Sequence, residues 1–114
     1  MNLIIRWLVF TLAILITAYL LPGVEVNTFF TAFVTALVLG LVNTFIKPII
    51  VILTLPLNIL SLGLFTLVIN ALLIMLVGRI VPDFFVDGFL WALLFSIILT
   101  IINWALSLIF NSEN

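Results

Sequence analysis

Only seven of the 114 residues carry a charge, and their spacing decides the solvent in which the chain can fold. Arg6, Glu25, Lys47, Arg79, Asp83, Asp87 and Glu113 leave four long uncharged runs: Trp7 to Val24, Val26 to Ile46, Pro48 to Gly78 and Gly88 to Ser112. A helix crosses the hydrocarbon core with about 20 apolar residues, roughly 17 to 25 being tolerated, because each residue advances it by about 1.5 Å. The runs therefore predict four spans, near Ile4 to Leu21, Thr28 to Ile46, Leu62 to Val81 and Gly88 to Ile109. With 68% of residues hydrophobic and 6% charged, a water-soluble globule of this size has no means of wetting its surface, so lipid is the required environment. The runs show no apolar/polar alternation, which disfavours a barrel and predicts an all-α integral membrane protein.

The spans are not independent of one another. Displaced by sixty residues, the sequence matches itself at Pro22 and Pro82, Val26 and Val86, Phe29 and Phe89, Ala32 and Ala92, Leu39 and Leu99, and Asn43 and Asn103. The expected architecture is one membrane domain over residues 1–114, built of two helical hairpins at 1–46 and 62–114, joined by a proline-containing connector at 47–61. A unit of two spans returns to its starting side, so the second copy enters in the same orientation and the repeats are parallel. Arg6 before an apolar run also fits a signal peptide, but cleavage near Pro22 would remove half of the first unit. Arg6 and Lys47 fall on one side of a four-span chain and Arg79 on the other. By the preference of basic residues for the cytoplasm, both ends are expected inside.

Small residues recur every fourth position on two spans: Thr28, Ala32, Ala36, Gly40 and Thr44 on the second, Gly88, Ala92, Ser96 and Thr100 on the fourth. Residues four apart share a helix face, and a face without bulky side chains lets backbones approach closely in lipid. Ala32, Ala36, Gly40, Ala92, Ser96 and Thr100 are therefore candidate helix-packing positions, either within one copy or between copies. Asn43, Asn70 and Asn103 lie at membrane depth, where an unpaired amide costs several kcal/mol in the hydrocarbon limit. They are expected to face protein and to hydrogen-bond between helices, the alternative being a polar path for water or solute.

Lys47-Pro48 closes the second run. Pro48 lacks an N–H and disfavours helical angles at Lys47, so the helix is expected to bend or stop there. The segment beyond it stays apolar as far as Pro56. That fits a kinked helix or an interfacial segment, with Lys47 reaching the headgroups, better than a re-entrant loop. The chain contains no Cys and no His, which removes thiol chemistry and the commonest general base. No intramembrane carboxylate is present to carry a proton, and Asp83 and Asp87 read as an outer turn rather than a site. No catalytic residue, cofactor or metal is expected, and a net charge of −1 offers nucleic acid no basic face.

Leu41-Val42-Asn43, Ile46-Lys47-Pro48, Leu53-Thr54-Leu55-Pro56, Leu62-Gly63-Leu64-Phe65 and Ile69-Asn70-Ala71 together resemble the core of small bacterial four-span proteins classed with phage holins of superfamily IV. The resemblance implies a compact four-helix domain in the bacterial inner membrane with both termini cytoplasmic. The leading expectation is a holin-like, non-enzymatic membrane protein that self-associates through its small-residue faces as a homo-oligomer, bilayer permeabilisation being what an assembly of many copies would allow. A structural or envelope-stress component that opens no pore, and a small transporter or channel, are the competing expectations.

Overall fold

The computed structural model describes residues 2–61 and 63–111 of the chain, without the side chains of Asn58 and Asn111. Helix α1 spans Leu3–Leu20, strand β1 Val24–Val26, α2 Phe29–Leu41, a π-turn Val42–Ile46, α3 Lys47–Leu53, α4 Leu55–Leu60, α5 Leu64–Ile80, strand β2 Phe84–Val86 and α6 Phe89–Asn111. Three described helices are long and apolar enough to cross a membrane: Leu3–Leu20, the continuous Phe29–Leu53, and Phe89–Phe110. Helix α5, with 17 residues, is shorter and stands at the lower edge of what a bilayer needs. The start expected for that span at Leu62 lies outside the described residues.

Local chemistry sets the helix starts. Asn2 accepts the backbone N–H of Ile5 through Oδ1 at 2.9 Å, and Thr28 accepts that of Thr31 through Oγ1 at 3.1 Å, each answering a donor that a first turn leaves open. Gly63, with φ of 88°, turns the chain into α5 through a backbone conformation that other residues adopt at a cost.

The connections at the far end are not the plain turns expected from an all-α reading. Val24-Glu25-Val26 and Phe84-Phe85-Val86 pair antiparallel, in the register Val24 with Val86, Glu25 with Phe85 and Val26 with Phe84. The pairing extends by Asn27 N–H to the Asp83 carbonyl at 3.4 Å and Asp87 N–H to the Gly23 carbonyl at 2.8 Å. Two short β segments, each unable to satisfy its own backbone, close one another's hydrogen bonds at one end of the bundle. Apolar-run lengths carry no information about such pairing.

Of the bend or stop expected at Pro48, the stop does not occur. The helix runs from Phe29 to Leu53, with Lys47 itself helical at φ −59° and ψ −44°. The turn before Pro48 widens to π geometry, the Lys47 N–H reaching back to the Val42 carbonyl. A widened turn gives the pyrrolidine ring room against the preceding carbonyls, which relieves the clash that breaks a regular helix. The break comes instead at Thr54, after which α4 leads back to α5.

Around the bundle, α1 packs on α2 and α6, and α5 packs on α6 and on α2 with its continuation α3, which leaves α2 diagonal to α6. The core lies toward the strand end: Ile14, Leu21, Val24, Val77, Val81, Phe84 and Phe95 are buried and contiguous with Leu39, Ile74 and Leu99. Trp7 joins α1 to α2, its ring stacked on Phe33 at 4.0 Å and its Nε1–H donating to the Phe33 carbonyl at 3.0 Å.

Candidate functional site: a polar vestibule at the end opposite the strands

Away from the strands the helices splay around two adjoining cavities of about 370 and 620 Å³. Phe10, Asn43, Asn103 and Ser107 form walls common to both. The smaller cavity adds Lys47, Asn70 and Thr100 over a floor of Leu39, Ile74, Ser96 and Leu99. The larger adds Arg6, Gly40 and Thr44 between α1 and α2, with Leu3, Leu37, Leu41 and Phe45 at its apolar rim. At about 1.5 Å per residue, Asn43 stands some 15 Å inward from the end of its helix at Leu53, and Asn103 about 12 Å inward from Asn111. The polar lining therefore reaches well into the span.

Four of the six small-residue positions are buried within a single copy. Ala32 and Ala92 are fully buried, Ala36 is 2% and Ser96 6% exposed, and the three alanines belong to the contiguous hydrophobic core. The stripes do not face each other, since α2 and α6 are diagonal. Toward the vestibule they open. A Cβ at Gly40 would meet nothing within 4 Å, and Thr100 is exposed, its hydroxyl donating to the Ser96 carbonyl at 2.8 Å. Pro48 and Pro56 lie outside the vestibule lining and are exposed.

The three amides converge on the vestibule, Asn43 and Asn103 lining both cavities and Asn70 the smaller one. Sequence reasoning expected them to hydrogen-bond between helices, but none of the side-chain hydrogen bonds among the described residues involves them. Threonine behaves differently. Thr11, Thr17, Thr35 and Thr100 each return their hydroxyl to the carbonyl four residues earlier and are thereby satisfied within their own helices.

Arg6, Phe10, Trp104 and Ser107 were not singled out as lining residues from the sequence. The sixty-residue offset contained the signal, since the smaller cavity is lined by Phe10 and Asn70, Leu39 and Leu99, Asn43 and Asn103, and Lys47 and Ser107, each pair sixty apart. The electrostatics are one-sided. Arg6 and Lys47 border the vestibule, while the described carboxylates belong to the strand end: Glu25 lies in β1, and Asp83 and Asp87 flank β2. No group of three or more metal-ligating side chains occurs among the described residues. The vestibule offers positive charge, amide and hydroxyl groups, which are suited to binding and orienting a polar group.

A family model described as mycobacterial 4 TMS phage holin, superfamily IV, matches residues 1–105. The uncharacterized protein SCO3922 of Streptomyces coelicolor is 51% identical over 81 residues, a stretch covering 68% of this chain and 65% of that protein. The uncharacterized membrane protein YvlD of Bacillus subtilis is 37% identical over 93 residues, covering 81% of this chain and 77% of the relative. The chain thus spans a little under two thirds of the Streptomyces relative and about three quarters of the Bacillus one. No solved structure matches the chain.

Proposed function

Because the chain belongs to the four-transmembrane-segment phage holin family of superfamily IV, we propose that it is a non-enzymatic protein of the bacterial inner membrane that permeabilises the bilayer when copies self-associate, and that a separate copy is closed. The observation that carries this reading is the blind vestibule: a polar cavity enters from one end and stops against the buried Leu39, Ile74 and Leu99, beyond which Phe84 and Phe95 fill the bundle. A path through one copy would have to cross that close-packed half. Assembly offers another route, because Gly40, Asn43, Thr44 and Phe45 border the open side of the larger cavity, where a second copy would cover polar groups otherwise turned to lipid. Basic Arg6 and Lys47 at the vestibule end support a cytoplasmic location for that end and for both termini.

Duplication of a helical hairpin is part of the same reading. It is supported by strand bounds sixty apart, by a sheet register centred on Glu25 and Phe85, and by cavity walls formed from residues sixty apart. On that reading the parallel units meet along an axis through the sheet and the vestibule, and α3 and α4 form the connector.

The test is controlled expression with a membrane-potential dye. Depolarisation should set in above a threshold amount of protein and be lost in the Asn43→Leu/Asn103→Leu variant at equal membrane content. The chain lacks cysteine, so Thr44→Cys should cross-link copies in parallel with depolarisation. Full membrane potential at every expression level would overturn permeabilisation in favour of a scaffold.

A further inference from the structure

We infer that the vestibule binds the phosphate of an anionic phospholipid headgroup from the leaflet at that end. Two of the chain's three basic residues, Arg6 and Lys47, border adjoining cavities that share Asn43, Asn103 and Ser107. Neither cation forms an ion pair among the described residues, and the described carboxylates are at the strand end. Cationic side chains at the end of the bundle, with no counter-charge beside them among the described residues, call for one, and a phosphate diester supplies it. A guanidinium presents a fork of N–H donors matching two phosphate oxygens, an ammonium adds a point charge, and the amides of Asn43 and Asn103 can donate to phosphate or accept from glycerol hydroxyls.

The shape selects lipid over free phosphate. The cavities, about 370 and 620 Å³, are of the size that holds small molecules, and the larger carries an apolar rim of Leu3, Leu37, Leu41 and Phe45 suited to acyl chains. A headgroup here also completes hydrogen bonding for the three amides, which make none to described side chains. The inference goes beyond permeabilisation, because it concerns a single copy and requires no assembly.

Trp7 borders the larger cavity and Trp104 the smaller, so the protein carries its own reporters. The experiment places one copy per nanodisc of phosphatidylcholine and titrates brominated phosphatidylglycerol or brominated phosphatidylcholine, reading tryptophan quenching. Phosphatidylglycerol should bind on the order of tenfold more tightly or better, with about fivefold lost per cation removed. Arg6→Gln/Lys47→Gln should abolish the preference, Arg6→Lys/Lys47→Arg should keep most of it, and Arg79→Gln, at the strand end, should leave it unchanged. Circular dichroism establishes that each variant is folded, and Asn43→Asp, which places a carboxylate in the shared wall, should also remove the preference. Equal quenching by both lipids in the unaltered protein, or a preference that survives in Arg6→Gln/Lys47→Gln, would overturn the inference. Displacement of the lipid by millimolar inorganic phosphate would overturn the lipid as the source. None of these outcomes bears on depolarisation, which needs several copies.

Discussion

Replacing Phe95 by alanine removes one of the two largest fully buried side chains, the other being Phe84, from the half of the bundle between the vestibule floor and the strand end. The ring is fully buried and packs on Phe84 with centroids 5.7 Å apart at an interplanar angle of 56°. In lipid or detergent the unfolded segment also solvates an apolar ring, so the water-transfer part of the usual core penalty falls away and the void remains. A ring-sized void on the order of 100 Å³ costs about 2.4 kcal/mol at about 24 cal/mol per Å³. The lost ring pair adds about 0.5 to 1.5 kcal/mol, for a total near 3 to 4 kcal/mol. The functional consequence is larger than the energetic one. Ser96 and Leu99, on the same helix, belong to the vestibule floor, so the void opens the blind end and a separate copy should leak. Phe95→Ala should therefore unfold at lower temperature in detergent and leak protons across vesicles carrying one copy each, a condition in which the unaltered protein is tight. A destabilised variant that stays tight would separate packing from sealing and refute the claim that this core closes the path. A variant unchanged in both respects would refute the burial argument itself.

Two further substitutions probe the strand end and the π-turn. A Cβ at Gly23 would fall inside the indole of Trp91, so Gly23→Ala should destabilise the fold by about 1 to 3 kcal/mol in detergent melting, the cost of overpacking, with part of the loss recovered in Gly23→Ala/Trp91→Leu. Pro48→Ala restores a backbone donor and removes the reason for the wide turn at Val42–Ile46. Reversion to regular helix would turn Asn43 by about 100° relative to the residues beyond Pro48, the angle of one residue. Threshold depolarisation should then weaken while thermal stability holds or rises, and an unaltered dose–response would argue against a role for the π-turn.

What could be read from the chain alone was what depends on one segment at a time. Arg6, Glu25, Lys47 and the Asp83/Asp87 pair marked where apolar runs end, because a charge in hydrocarbon is costly wherever the other helices lie. The predicted spans accordingly lie close to α1, α2, α5 and α6. Length limits in a bilayer are likewise a property of each helix by itself. Tertiary structure decided whatever requires two distant segments to be weighed together. Pairing of Val24–Val26 with Phe84–Val86 follows from two backbones that each lack partners, and no run length encodes it. Pro48 can stay within a helix because a wide turn is available and neighbouring α5 packs against both sides of it, whereas sequence rules carry only the average penalty of a proline. Sequence placed Asn43, Asn70 and Asn103 at membrane depth and required protein around them. Whether they would bond one another or border a shared space depended on how far apart α2, α5 and α6 stand at that end, which is a property of the packed bundle and of no single segment.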